Sequence, residues 1–160
     1  GAVAVALARV LKGWQGHAVD CSKEALALAE RNLKILAPDG QINLHLGNWW
    51  KPLKPWWGSF DLVVANPPYI PEHLINELPP LIRDHEPRLA LSGGSDGLEA
   101  IRKILDFSLE AIAPGGWLIL EHHHDQSDLV LSAMKKVGLK FVYSEKDFEG
   151  VKRFALGKHP

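Results

Sequence analysis

Phe60-Asp61-Leu62-Val63-Val64-Ala65-Asn66-Pro67-Pro68-Tyr69 is the stretch on which the reading of this chain turns. Its first six residues are an almost continuous apolar run, the composition of a strand buried in a parallel sheet. Pro67 and Pro68 lack backbone N–H groups and have fixed φ angles, so the strand stops there and the following carbonyls turn outward. Asn66 to Tyr69 then sit at the carboxyl end of a buried strand, where open α/β sheets hold their ligands.

Upstream, the pattern alternates. Ala2 to Leu11 carries Ala, Val and Leu without a turn residue and stops at Gly13, which predicts a buried helix. His17-Ala18-Val19-Asp20 reads as a short strand ending in an acid. Ser22 is placed to cap a helix with Glu24 in its first turn, and Leu26, Ala29, Leu33 and Leu36 follow at helical spacing up to Pro38-Asp39-Gly40. Gln41 to Leu46 alternates as a strand, and a Trp- and Pro-rich stretch fills 49–58.

Downstream, residues 70–95 are rich in Pro, Gly and charge and read as a long loop with one helical turn, a length that is usually functional. Asp96 and Glu99 have capping-box spacing before a helix carrying Leu98, Ile101, Leu105, Leu109 and Ile112. Pro114-Gly115-Gly116 separates it from a strand at Trp117 to Leu120. A helix from Ser127 to Val137 ends at Gly138, and Lys140 to Ser144 pairs with Val151 to Leu156 as a hairpin. Strand–helix alternation of this kind predicts an α/β fold with a parallel sheet covered on both faces, in one domain over residues 1–160.

With Lys+Arg 18 against Asp+Glu 19 the formal net charge is −1, which provides no global field for nucleic acid. One cysteine, Cys21, excludes an internal disulfide and a multi-cysteine zinc site and is read as structural. No apolar run is long enough to span a bilayer, and a reducing, cytoplasmic setting is expected. The chain opens on Gly1-Ala2-Val3 rather than on Met, and is read as a piece of a longer protein.

Three strand ends outline the candidate site. Asp20 is placed to accept hydrogen bonds from ribose hydroxyls. Trp49 offers a flat face for an adenine ring and Asn48 an amide for its edge, whereas Trp56 and Trp57 read as packing. The Asn66 side-chain oxygen and a nearby backbone carbonyl of the Pro67-Pro68 turn can accept both hydrogens of a substrate NH₂, with Tyr69 stacked on the planar group conjugated to it. Such a nitrogen is a poor nucleophile, and two fixed acceptors would orient it toward an electrophile. This chemistry specifies a conjugated NH₂ and leaves glutamine and adenine equally open. His122-His123-His124-Asp125 carries metal-ligand residue types, but adjacent side chains on an extended segment diverge, so no metal site is assigned. Gly93-Gly94-Ser95-Asp96-Gly97 lacks the lysine of a phosphate-binding loop.

Asn66-Pro67-Pro68-Tyr69-Ile70 resembles the catalytic motif of amino-methylating class I methyltransferases. The downstream stretches His85-Glu86-Pro87-Arg88-Leu89-Ala90-Leu91 and Gly93-Gly94-Ser95-Asp96-Gly97-Leu98 resemble the glutamine-N5 methyltransferases of translation proteins. Leu120 to Gln126 and Gly150-Val151-Lys152-Arg153-Phe154 resemble the peptide-chain release factor glutamine-N5 methyltransferases among them. The resemblance implies a Rossmann-like sheet with a C-terminal antiparallel hairpin and S-adenosyl-L-methionine as cofactor. The substrate it implies is the glutamine of the Gly-Gly-Gln motif of a release factor, without direct nucleic-acid binding or a membrane. It further implies cofactor contacts at Gly1, Asp20, Asn48, Trp49 and Asn66, a substrate clamp at Asn66, Pro67, Pro68 and Tyr69, and catalysis by Asn66, Pro67 and Tyr69. Gly1 matches the last glycine of the family's cofactor loop. The central first strand that feeds this loop and the N-terminal helical domain have no counterpart here, and Asn48 stands where the family often has Asp. Rival readings are a ribosomal-protein glutamine methyltransferase, an adenine-N6 nucleic-acid methyltransferase, and a non-catalytic ligand-binding domain.

Overall fold

The computed structural model, which describes residues 1–160, is an α/β fold whose strands lie in two sheets, a parallel pair and a mixed sheet of four. The chain divides into two units, Gly1–Trp56 and Trp57–Pro160.

The first unit contains α1 (Ala2–Val10), β1 (Gln15–Asp20), α2 (Lys23–Leu36), β2 (Gln41–Leu46) and a 3-10 turn at Lys51–Trp56. The two strands run parallel, with Ala18 opposite Leu44 and Asp20 opposite Leu46. α2 begins where the sequence places it: the Ser22 hydroxyl accepts from the Ala25 N–H at 3.0 Å, satisfying one of the donors a helix start leaves unpaired. Val5, Ala8, Leu33 and Ala37 form the core with Ile42 and Leu44 packed against it. α1 is not the buried helix expected. Only Val5 and Ala8 are buried, and Val10 is 75% exposed, because a short helix against a two-stranded layer covers one stripe of itself.

The second unit contains β3 (Phe60–Ala65), α3 (Pro80–Arg83), α4 (Arg88–Leu91), α5 (Glu99–Leu105), α6 (Ser108–Ala111), β4 (Ile112–Glu121), α7 (Ser127–Lys136), β5 (Lys140–Lys146) and β6 (Lys152–Lys158). Its sheet has the order β3-β4-β6-β5, parallel between β3 and β4 and antiparallel at both edges of β6, so the C-terminal hairpin is present. Ile112, Leu118, Leu120, Met134 and Ala155 are completely buried.

Four expectations are corrected here. The 70–95 segment is structured, with a 3-10 turn at Glu72–Glu77 followed by α3 and α4; Glu72 ties it together by binding Arg88 and Ser92. The helix read as continuous to Ile112 breaks after Leu105, where the buried Ser108 hydroxyl donates to the Leu105 carbonyl at 2.9 Å. Asp96 does not cap α5: its carboxylate accepts from the Leu98 N–H and pairs with Arg102, while Glu99 accepts from the Ser95 N–H. β4 also starts five residues earlier than Trp117, running through Pro114-Gly115-Gly116 with a register slip opposite Phe60–Leu62.

Candidate active site

β3 and β4 are parallel neighbours with Ala65 opposite Leu120, so the segments that leave their carboxyl ends emerge side by side. Asn66 is exposed at the end of β3, Pro67 is buried, and Pro68 and Tyr69 are half-buried. The segment leaving β4 grips the one leaving β3. The Tyr69 hydroxyl donates to Glu121 Oε1 at 3.1 Å, and the Gln126 side-chain amide donates to the Tyr69 carbonyl at 2.9 Å. Gln126 Oε1 in turn accepts from the His123 N–H at 3.0 Å, and the His123 ring lies 6.3 Å from that of Tyr69.

A second fastening follows immediately. The Ile70 N–H donates to the Leu91 carbonyl and the Gly93 N–H to the Ile70 carbonyl, a parallel bridge between residues 70 and 92. The Glu72 N–H then bonds the Gly94 carbonyl at 2.9 Å. Gly97 has φ +76°, and a methyl built on it would run into both the Gln126 amide and the Tyr69 carbonyl oxygen. The glycines at 93–97 thus serve close backbone approach rather than phosphate binding. Burial first, then the Glu121 carboxylate, pushes the Tyr69 phenol above its ordinary range, with Arg153 acting in the opposite direction. Tyr69 is therefore a neutral hydrogen-bond donor at any physiological pH.

The first unit carries the cofactor candidates other than Asn66. Asp20 is half-buried at the end of β1, and its Oδ1 accepts from the Ser22 N–H at 2.9 Å. Its backbone carbonyl accepts from Gly47, which fastens the ends of β1 and β2 together. Asn48 is exposed, and Trp49 is half-buried with φ +51°, a conformation uncommon for a bulky side chain. A carboxylate with a second oxygen beyond its turn bond, an exposed amide and an indole held in left-handed backbone are a donor and acceptor set that fits a ribose and a purine. Gly1 precedes α1 as its N-cap residue, where a Cβ would meet Ala29 at 2.6 Å. Trp50 is buried, and Trp56 packs on the ring of His17 at 4.2 Å, with His17 Nδ1 and His45 Nε2 2.9 Å apart. Burial and then His45 lower the His17 pKa.

The remaining candidates separate. His122 is fully buried with Nδ1 bonded to the His123 carbonyl, whereas His123 faces Asp125. No group of three or more metal-ligating side chains converges. Cys21 is exposed and free. Glu121 and Gln126 are the residues that sequence reasoning left unassigned. They lie 52 and 57 positions from Tyr69, and only the strand register brings them to it.

No protein-family model matches the chain. A curated release factor glutamine methyltransferase of Prochlorococcus marinus is 56% identical over 160 residues, all of this chain and 55% of that protein. Over its whole length the chain is homologous to release factor glutamine methyltransferases. One from Thermosynechococcus vestitus is 41% identical over 161 residues, again 55% of its length. The chain thus spans about half the length of the curated relatives it matches. Among solved structures, a methyltransferase from Pyrococcus furiosus superposes with a TM-score of 0.67 at 19% identity, covering 98% of this chain and 68% of that one. The fold is that of the Rossmann-like class I methyltransferases.

Proposed function

We propose that this chain carries the catalytic residues of an S-adenosyl-L-methionine-dependent methyltransferase acting on the glutamine side chain of the Gly-Gly-Gln motif in peptide-chain release factors. The observation that carries the reading is Asn66-Pro67-Pro68-Tyr69, fastened at the carboxyl end of β3, in a chain 56% identical over 160 residues to a curated release factor glutamine methyltransferase. The site of action is the cytoplasm, where release factors work; no helix is long and apolar enough to cross a membrane.

In the first unit Gly1, Asp20, Asn48 and Trp49 would hold the cofactor, which supplies an electrophilic methyl group when bound. The chain's own task is to prepare the acceptor. The Asn66 side-chain oxygen and the Pro67 carbonyl accept the two amide hydrogens of the glutamine, holding the NH₂ in one orientation. Tyr69 and Pro68 flank its planar amide. Resonance withdraws the nitrogen lone pair into the carbonyl, and two fixed acceptors favour the geometry in which it points at the methyl. The nitrogen gains a carbon and loses one proton to solvent, so no side-chain nucleophile is needed.

The test uses the full-length protein with methyl-labelled cofactor and a release factor, a ribosomal protein or DNA, locating the label by mass spectrometry. Label on the Gly-Gly-Gln glutamine is expected; label confined to adenine or to ribosomal protein overturns the proposal. Asn66→Ala should reduce transfer by about 100-fold or more while leaving the circular dichroism spectrum unchanged.

A further inference from the structure

We infer that Gln126 is a positioning residue for the acceptor clamp, its side-chain amide setting where the backbone from Asn66 to Tyr69 lies. The inference rests on the function proposed above.

Gln126 is 5% exposed, and a buried primary amide is tolerated only where its groups are paired. Its two ends do different work. Oε1 accepts from the His123 N–H and closes the 3-10 turn at His124–Gln126, a purely local task that a glutamate would perform equally well. Nε2 reaches the Tyr69 carbonyl, on the other strand's loop, and this task needs a donor.

The clamp has few other restraints. Pro67 and Pro68 have no N–H to offer, and the first backbone donor after them to be bound within the loop is that of Ile70, to Leu91. Between the last β3 pairing at Ala65 and Ile70, the bonds that hold the tetrapeptide are the two made by Tyr69, its hydroxyl to Glu121 and its carbonyl to Gln126. The Glu121 bond fixes the far end of a side chain; the Gln126 bond fixes the main chain itself. The bare Gly97 leaves the space in which that bond forms. Losing it lets the Pro67 carbonyl and the Asn66 side chain drift together, which misplaces both acceptors relative to the substrate nitrogen.

Two variants of the full-length protein separate the tasks. Gln126→Glu keeps the acceptor for His123 and loses the donor to Tyr69, whereas Gln126→Met loses both. Steady-state methylation of a Gly-Gly-Gln release factor, cofactor binding by calorimetry and thermal melting are measured for each. Both variants should lose about 10- to 100-fold in kcat with a much smaller change in the cofactor Kd, to which Asn66 is one contact among several, since a displacement near 1 Å is worth up to about 100-fold. Wild-type kcat in Gln126→Glu with loss only in Gln126→Met would show a local turn closure and overturn the inference, as would wild-type kcat in both. Failure of the unsubstituted protein to label glutamine overturns the functional proposal instead.

Discussion

Tyr69 shows how one side chain is given two duties. In the proposed function its ring flanks the substrate amide, and its hydroxyl donates to Glu121. Half-burial and then the Glu121 carboxylate disfavour the phenolate, while Arg153 favours it and the nearby His123 ring completes its surroundings. The folded-state pKa is therefore raised, so the contribution to stability is complete below the ordinary tyrosine range and is lost as pH climbs through the raised value. Glu121→Gln should bring the Tyr69 titration down, as seen by ultraviolet difference absorbance during an alkaline titration; an unmoved curve would mean that burial alone sets it. At this scale Asn66, Pro67 and Pro68 were legible because their chemistry is local: two imino acids and a short amide directly after an apolar run. Glu121 and Gln126 were not, since nothing within several residues of either announces a partner more than fifty positions away.

Among the elements, the ones governed by neighbouring residues follow the sequence most closely. α2 starts at the Ser22 cap, and Ser22→Ala should cost about 1 kcal/mol in chemical denaturation by leaving the Ala25 N–H without its partner. α7 ends before Gly138, which adopts φ +105° as a C-terminal glycine does. The Asp96–Glu99 spacing misled because the same residues had a competing use: Asp96 is drawn to Arg102, leaving Leu98 as the residue that precedes α5. The 70–95 segment looked like loop because prolines begin three of its turns. Proline at a helix start disturbs nothing, since the missing N–H would have been unpaired there anyway, and short helical turns bounded by Pro71, Pro79 and Pro87 resulted.

For the molecule as a whole, the decisive feature is that β1 pairs only with β2 and β3 only with β4. The family resemblance implies a further strand, and β1 and β3 each stand at the edge of their own sheet. Residues 1–160 alone should therefore bind S-adenosyl-L-methionine more weakly than a protein extended to the length of its relatives, of which the chain spans about 55%. Equal affinities in a calorimetric titration would overturn this. The sequence by itself determined the strands and helices around Phe60–Ala65 and the proline stop that follows at Asn66 to Tyr69, because hydrophobic period, caps and prolines act within a few residues. Only the tertiary structure decided how many sheets form and what holds the tetrapeptide still. Strand pairing and a buried glutamine reaching 57 residues back along the chain are long-range bonds, and their energies depend on which partners folding brings within 3 Å.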